Sequence, residues 1–287
     1  MAALAATPAA AEVRLQFGFQ DRDVARMVSL GGSCNRCELS GRDLTGAAFH
    51  GASFLNATLV GADLRGAELM GSNFSGSDFS RADLDGASLT VTNFTGANFS
   101  GASLAGVDAS GATLVRAQFS NADLSGAQLV SANLNGAVLS GADLSDAELV
   151  AVTLANVRAR GADFSGADIS MSNLSNGDFR SSDFSGATLN GARLTGGSFA
   201  GADFDGAELN RTDIRGADLS RARNLTQSQV GRACGDASTR LPGDLTPRVC
   251  RGLSGVRVAP APPTPPAPPR PPTPPRNRNL VVASSGR

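Results

Sequence analysis

The sequence predicts an all-β solenoid, and three observations carry that prediction. A five-residue unit, A-(D/N/S/T)-(L/F)-x-x, repeats 37 times from Cys37 onward without one insertion. Large residues then recur at a spacing of twenty, as in Phe54/Phe74/Phe94, Phe79/Phe99/Phe119, Phe164/Phe184/Phe204 and Phe179/Phe199. The composition is also light, with 34 Gly, 5% aromatics and no Trp or Tyr. Such a chain cannot fill a broad globular core with large side chains, but it can fill a narrow one.

A period of five fits neither the 3.6 of a helix nor the 2.0 of a flat strand. Within each unit the small residue and the central residue lie two apart, so both can face one side of a short extended segment. The Ser-Gly and Asn-Gly pairs that follow suit a turn. One unit cannot bury its apolar side alone, and stacking on neighbours does so. The central position is Leu, Phe or Ile in 35 units; the exceptions, Ala109 and Ala159, follow Val107 and Val157 where Ala is the rule. A larger inward neighbour there offsets the smaller centre, as close packing requires. Arg42 is the lone misfit at the small position. The spacing of twenty makes four units one coil.

These residues resemble the pentapeptide-repeat family, and the match covers 37–221. The resemblance implies a right-handed quadrilateral β-helix. Nine coils at the usual strand spacing of about 4.8 Å give a rod of roughly 43 Å.

The other segments follow in order. Residues 1–12 read as the remnant of a secretory signal or as a disordered terminus. Residues 13–36 read as an N-terminal cap with a short helix from Asp21, its apolar side Val24, Met27 and Val28 and its end at Gly31 and Gly32. Residues 222–250 read as a C-terminal cap, with a capping box at Thr226 and Gln229 opening a second short helix. Residues 251–287 hold six Arg and no acid, and 260–275 contain 11 of the 14 prolines. That tail is expected to be a disordered, semi-rigid polyproline-type segment, a spacer or a ligand for a proline-recognising or anionic surface.

The four cysteines sit at the ends of the repeat, as Cys34 and Cys37 and as Cys234 and Cys250. Nine intervening coils keep the two pairs from sharing a zinc site. Cys34 and Cys37 lack the strand–helix setting of a redox motif, and structural thiols or disulfides are the expectation for all four. A Cys234–Cys250 bridge would close a 15-residue loop, worth about 3 kcal/mol on a chain-entropy estimate. Paired cysteines favour an oxidising compartment, so a periplasmic or secreted location is expected, with the cytoplasm as the alternative.

The chemistry expected is recognition rather than catalysis. One histidine, His50, excludes His-dependent triads and multi-His metal sites. No catalytic, cofactor or metal residues are assigned, and no apolar run approaches the roughly 18 residues of a membrane span. Residues 37–220 hold 21 acids against 10 Arg, a net −11, while the rest of the chain is +10. Asp43, Asp63, Asp83, Asp123, Asp143, Asp163, Asp183 and Asp203 form one acidic column, broken at Ser103. Short polar side chains there can bond neighbouring turns. Stacked carboxylates would also repel, which favours cation uptake or raised pKa values. Met70, Val91, Val130, Val150 and Met171 stand in outward slots as a candidate interface.

The expected function is therefore a non-enzymatic rod serving as an interaction or structural scaffold for a protein partner, a second copy of the chain included. Direct nucleic-acid binding by the rod is not expected, since phosphate contact requires positive charge. Some members of the family that this chain resembles protect DNA gyrase with an acidic rod like duplex DNA. The alternative that resemblance implies is a cytosolic DNA mimic that binds this type II topoisomerase. No projecting loop interrupts the coils here, and the cysteine-bearing ends favour export.

Overall fold

The computed structural model describes residues 32–250. The terminus at 1–12, the helix expected from Asp21 and the proline-rich tail at 251–287 lie outside the described residues.

Parallel bridges join residues twenty apart, from Ser33 with Ser53 to Asp203 with Arg223. They fall on the residue before each central position, so every coil carries four, and four ladders run along the solenoid. The first joins Asp43 to Asp63 and on to Asp203; the second starts at Ala48 and Glu68, the third at Ser33 and Ser53, the fourth at Glu38 and Thr58. The arrangement is a right-handed β-helix, the fold of the family the sequence resembles. No helix among the described residues is long and apolar enough to cross a membrane.

The backbone accounts for its own amides with one exception per unit. In the unit around Leu44, the Leu44 N–H donates to Asp63 of the next coil at 2.7 Å and Gly46 to Arg65 at 2.9 Å. The Ala47 N–H closes the turn onto Leu44 at 3.0 Å. The following ladder residue donates backward, as Asp63 does to Arg42 at 2.9 Å. The residue just after the centre has no backbone acceptor. Where the ladder residue is Asp or Asn, that N–H goes to its side-chain oxygen two residues before, as Thr45 to Asp43 Oδ1 at 3.1 Å; elsewhere it can turn to the preceding coil, as Ala105 to Asp85 Oδ1 at 3.0 Å. A short carbonyl-type acceptor is therefore favoured at the ladder position, which explains the recurrence of Asp and Asn there.

The interior is the stack of central and small residues. Phe54 and Phe74 lie with ring centroids 4.6 Å apart and nearly parallel, and Phe99 and Phe119 stack at 4.9 Å. Adjacent columns meet edge to face, as Phe49 and Phe54 at 4.9 Å. Val107 with Ala109 and Val157 with Ala159 are all buried, as the size exchange anticipates. Where Ser or Thr replaces the small Ala, the buried hydroxyl donates to the carbonyl 23 residues earlier. Ser77 reaches Phe54 at 2.6 Å and Thr212 reaches Leu189 at 2.8 Å. Gly177 and Gly197 hold that slot where no Cβ fits: one at Gly177 would lie 2.3 Å from the Phe179 ring.

A disulfide stands at each end of the described repeat. Cys34 is a central residue of the third ladder's column, one coil before Phe54, so the repeat begins one unit earlier than the sequence reading placed it. It is disulfide-bonded to Cys37 across the first described turn. At the other end, helix α1 (Gln227–Arg232) is opened by Thr226, whose hydroxyl accepts from Gln229 N–H while Gln229 accepts from Thr226 N–H at 2.7 Å. The Gln229 amide also donates to Phe204 and Ala207 carbonyls at 2.8 and 2.9 Å, capping the last coils. Val230 is buried, Cys234 extends the third ladder by bridging Asp213, and a Cys234–Cys250 disulfide fastens the lid.

Candidate interaction surfaces

All eight acids of the sequence column stand in the first ladder, and each performs the same local task. Asp43, Asp63, Asp83, Asp123, Asp143, Asp163, Asp183 and Asp203 all accept the N–H two residues on, at 2.8–3.2 Å. At Asp43, Asp63 and Asp203 the protonation runs opposite to the expectation from repulsion alone. The Arg65 guanidinium bonded to Asp63 pulls its pKa down to about 2. The Thr45 hydrogen bonds lower that of Asp43, and Asn224 lowers that of Asp203. Hydrogen bonds to the charged form outweigh neighbouring carboxylates at these three.

The acidic surface is wider than the column. The second ladder carries Glu68, Asp108, Glu148, Asp168 and Glu208, and the turns between the two ladders carry Asp85, Asp146 and Asp205. Sixteen of the 21 acids in 37–220 thus lie on two adjoining ladders and their shared edge, among few arginines such as Arg65 and, at the end of the first ladder, Arg223 paired with Asp203. Glu68 pairs with the exposed His50 at 2.8 Å. The sequence column found half of this surface. The second ladder is more varied, alternating acids with Ser88, Gln128 and Thr188, but the same step of twenty locates it.

The five candidate interface residues gather on one edge, the turns between the second and third ladders. Met70, Val91 and Met171 are 49%, 69% and 67% exposed, and Val130 and Val150 are half-buried. Val91 and Met171 hold φ of 56° and 59°, in the slot where Gly71, Gly111 and Gly191 stand in other coils. A β-branched residue is rarely found there.

Chemically equipped sites are scarce by comparison. Asp213, Cys234 and Cys250 have ligand-type atoms within 4.8 Å of one another, but both sulfurs are committed to the disulfide, whereas metals take thiolates. An open cleft of about 360 Å³ lies between the last coils and α1, lined by Asp205, Glu208, Asn224 and Arg232.

A family model described as pentapeptide repeats matches in eight copies, over residues 33–71, 72–108, 102–141, 142–180 and 182–221. Among solved structures, the chain is similar to HetL of the cyanobacterium Nostoc sp., a pentapeptide repeat protein involved in heterocyst differentiation regulation. The identity is 26% over 79% of this chain and 97% of that one, with a TM-score of 0.33. Full-length QnrB1, a plasmid-mediated fluoroquinolone resistance protein, is 22% identical over 72% of this chain and 94% of its own, with a TM-score of 0.40. A pentapeptide repeat protein of the Arabidopsis thaliana thylakoid lumen is 31% identical over 39% and 64%, with a TM-score of 0.18. No curated protein matches the chain.

Proposed function

The chain belongs to the pentapeptide-repeat family, and from that premise we propose that it is a non-enzymatic, exported scaffold. Its body is a quadrilateral rod of about nine coils that presents flat surfaces to a protein partner. The observation that carries this reading is the segregation of charge, sixteen acids on two adjoining ladders and their shared turns along a regularly repeating backbone. A scaffold needs a rigid frame with an independently variable surface, and this frame uses the ladder oxygens for the backbone while leaving their charge free to vary. Periplasmic or secreted location is supported by the pairing of all four cysteines, since such bonds persist in oxidising compartments.

Intact mass of protein from its own host, with and without reduction under alkylation, tests the export. A processed start near Glu12 with two disulfides is the expected result; a retained Met1 region with four free thiols overturns it. The scaffold itself is tested by a six-site Asp→Asn variant at Asp63, Asp83, Asp123, Asp143, Asp163 and Asp183. It should keep its circular dichroism and lose an acid-dependent partner. Measurable turnover of a substrate by the purified rod would overturn the non-enzymatic reading.

The continuous acidic surface also favours the second reading, a cytosolic DNA mimic directed at a type II topoisomerase (gyrase). Inhibition of supercoiling that disappears in the same six-site variant would establish it. The unbroken coils and the paired cysteines weigh toward the first reading.

A further inference from the structure

Over its central coils the third ladder differs from the acidic surfaces in carrying almost no charge. Its central stretch with both flanking turns comprises 70–76, 90–96, 110–116, 130–136, 150–156 and 170–176, and these 42 residues include one charged side chain, Arg116. The corresponding segments of the Asp ladder, 60–66 through 160–166, include ten. Depletion of charge marks the core of protein interfaces. Along one edge of this ladder run Met70, Val91, Val130, Val150 and Met171. The structure holds Val91 at positive φ and 69% exposed, an unfavourable backbone and an unfavourable surface at one position. Nothing in the packing of the coil requires valine there, since Gly111 fills the equivalent slot one coil on.

The ladder also has unspent hydrogen-bonding groups. Asn73, Asn93, Asn133 and Asn173 each use Oδ1 to accept the N–H two residues on. Their Nδ2 groups, and the hydroxyls of Thr113 and Thr153, have no hydrogen-bond partner among the described residues. They form an outward row of donors and hydroxyl acceptors.

We propose that this face pairs with a second copy of the chain, the two rods antiparallel about a two-fold axis between the coils of Thr113 and Asn133. Two independent patterns select that axis. Along the edge it sets Met70 against the partner copy's Met171, Val91 against Val150, and the small Gly111 against Val130. Along the ladder it sets the amide donor of Asn93 against the hydroxyl of Thr153, and that of Asn133 against Thr113, with Asn73 facing Asn173. An isologous contact requires this reciprocal matching, residue i with j and j with i. Charge selects the occupant as well. A body of net −11 over 37–220 repels its own copy wherever the acidic ladders meet, and the third ladder offers an approach without stacking carboxylates. Arg116 sits at the far edge, where its long stem lets the guanidinium stay in water. Six coils span about 29 Å at the usual strand spacing. With a side of three to five residues about 10–17 Å wide, the face covers roughly 300–500 Å², below the ~800 Å² per partner of a standard interface, so the dimer is expected to be weak.

This proposal rests on the reading of the rod as a surface-presenting scaffold and names one partner for it. The test is sedimentation equilibrium of the full chain in about 0.5 M salt, where the Debye length is about 4 Å and long-range charge-driven association is suppressed. A concentration-dependent dimer is expected. Asn93→Asp keeps the oxygen that caps Thr95, and Thr153→Arg has a precedent in Arg193 of the same ladder, so both variants should fold, as circular dichroism would verify. Each alone should weaken the dimer about tenfold by leaving an unpaired charge in the contact. The double variant should recover it, because the two-fold axis then sets a carboxylate against a guanidinium at both symmetric contacts. Ser103→Asp on the Asp ladder should leave the dissociation constant unchanged. A monomer at every concentration, a dimer indifferent to both single changes, or a double variant without recovery would overturn the antiparallel pairing. A monomer that still loses its acid-dependent partner on neutralisation of the Asp ladder would leave the scaffold reading standing.

Discussion

The first and third ladders follow one backbone rule and present opposite electrical faces. In both, a short side chain two residues before an unpaired N–H supplies the missing acceptor, Asp143 to Ser145 at 2.9 Å in one and Asn133 to Asn135 at 3.0 Å in the other. Because Asp and Asn meet this requirement equally, folding does not dictate the charge. The surface pattern is therefore free to answer to partners, and its sharp division into acidic and neutral ladders carries functional information that the core does not.

The comparison can be broken or sharpened at several points. A cut in the shared core should strike every ladder alike: Phe74→Ala, which empties a stack between Phe54 and Phe94, should cost about 3–5 kcal/mol in urea unfolding. Overfilling the same interior is the next largest effect. Gly177→Ala places a methyl against the Phe179 ring and should cost about 1–3 kcal/mol. Separating hydrogen bonding from charge is gentler: Asp143→Ala should lose about 1 kcal/mol through the orphaned Ser145 N–H. Asp143→Asn, which retains the acceptor, should stay within about 0.5 kcal/mol, and equal losses in the two variants would refute the division of roles. Val91→Gly should raise stability by up to about 1 kcal/mol by relieving the left-handed conformation, while weakening the proposed dimer.

Acid titration reports the hydrogen bonds and ion pairs of the carboxylates. Asp63, with its pKa near 2 because Arg65 bonds its charged form, ionises more readily folded than unfolded. Its contribution is complete above the unfolded carboxylate value of about 3.9 and is lost as pH falls through the folded one. Asp236, held near 2 first by the Ser238 hydroxyl, behaves likewise in the C-terminal cap. The urea midpoint should thus hold steady down to about pH 4 and fall between pH 4 and pH 2. A midpoint rising over that interval would mean that carboxylate repulsion dominates.

The coil register, the core columns and the Asp column were legible in the sequence because one period of twenty governs them all. The capping box at Thr226 was legible too, but Gln229's reach to the Phe204 and Ala207 carbonyls was not, since it depends on where the helix lies over the last coil. The place of Cys34 could have been read from its distance of twenty to Phe54. The start of the repeat is obscured there because a cysteine stands where Leu or Phe is the rule. The width of the acidic surface was hidden for a different reason: it combines two ladders and a row of turns, and each looks incomplete when its residues are followed singly. The preference for a ladder oxygen had a visible sequence signature, but its cause, one amide per unit without a backbone acceptor, emerges only when the coils are stacked.

Every interior coil is gripped on two sides by its neighbours, whereas a terminal coil is gripped on one. Unravelling such a molecule resembles opening a zipper, begun where the grip is single. The two cross-links stand at those places, Cys34–Cys37 in the first described turn and Cys234–Cys250 beyond the last. They leave the middle of the chain unbridged, where separating adjacent turns would require two fronts at once. Entry by an exopeptidase would thus meet a covalent cross-link within the first or the last bonded turn of the described residues.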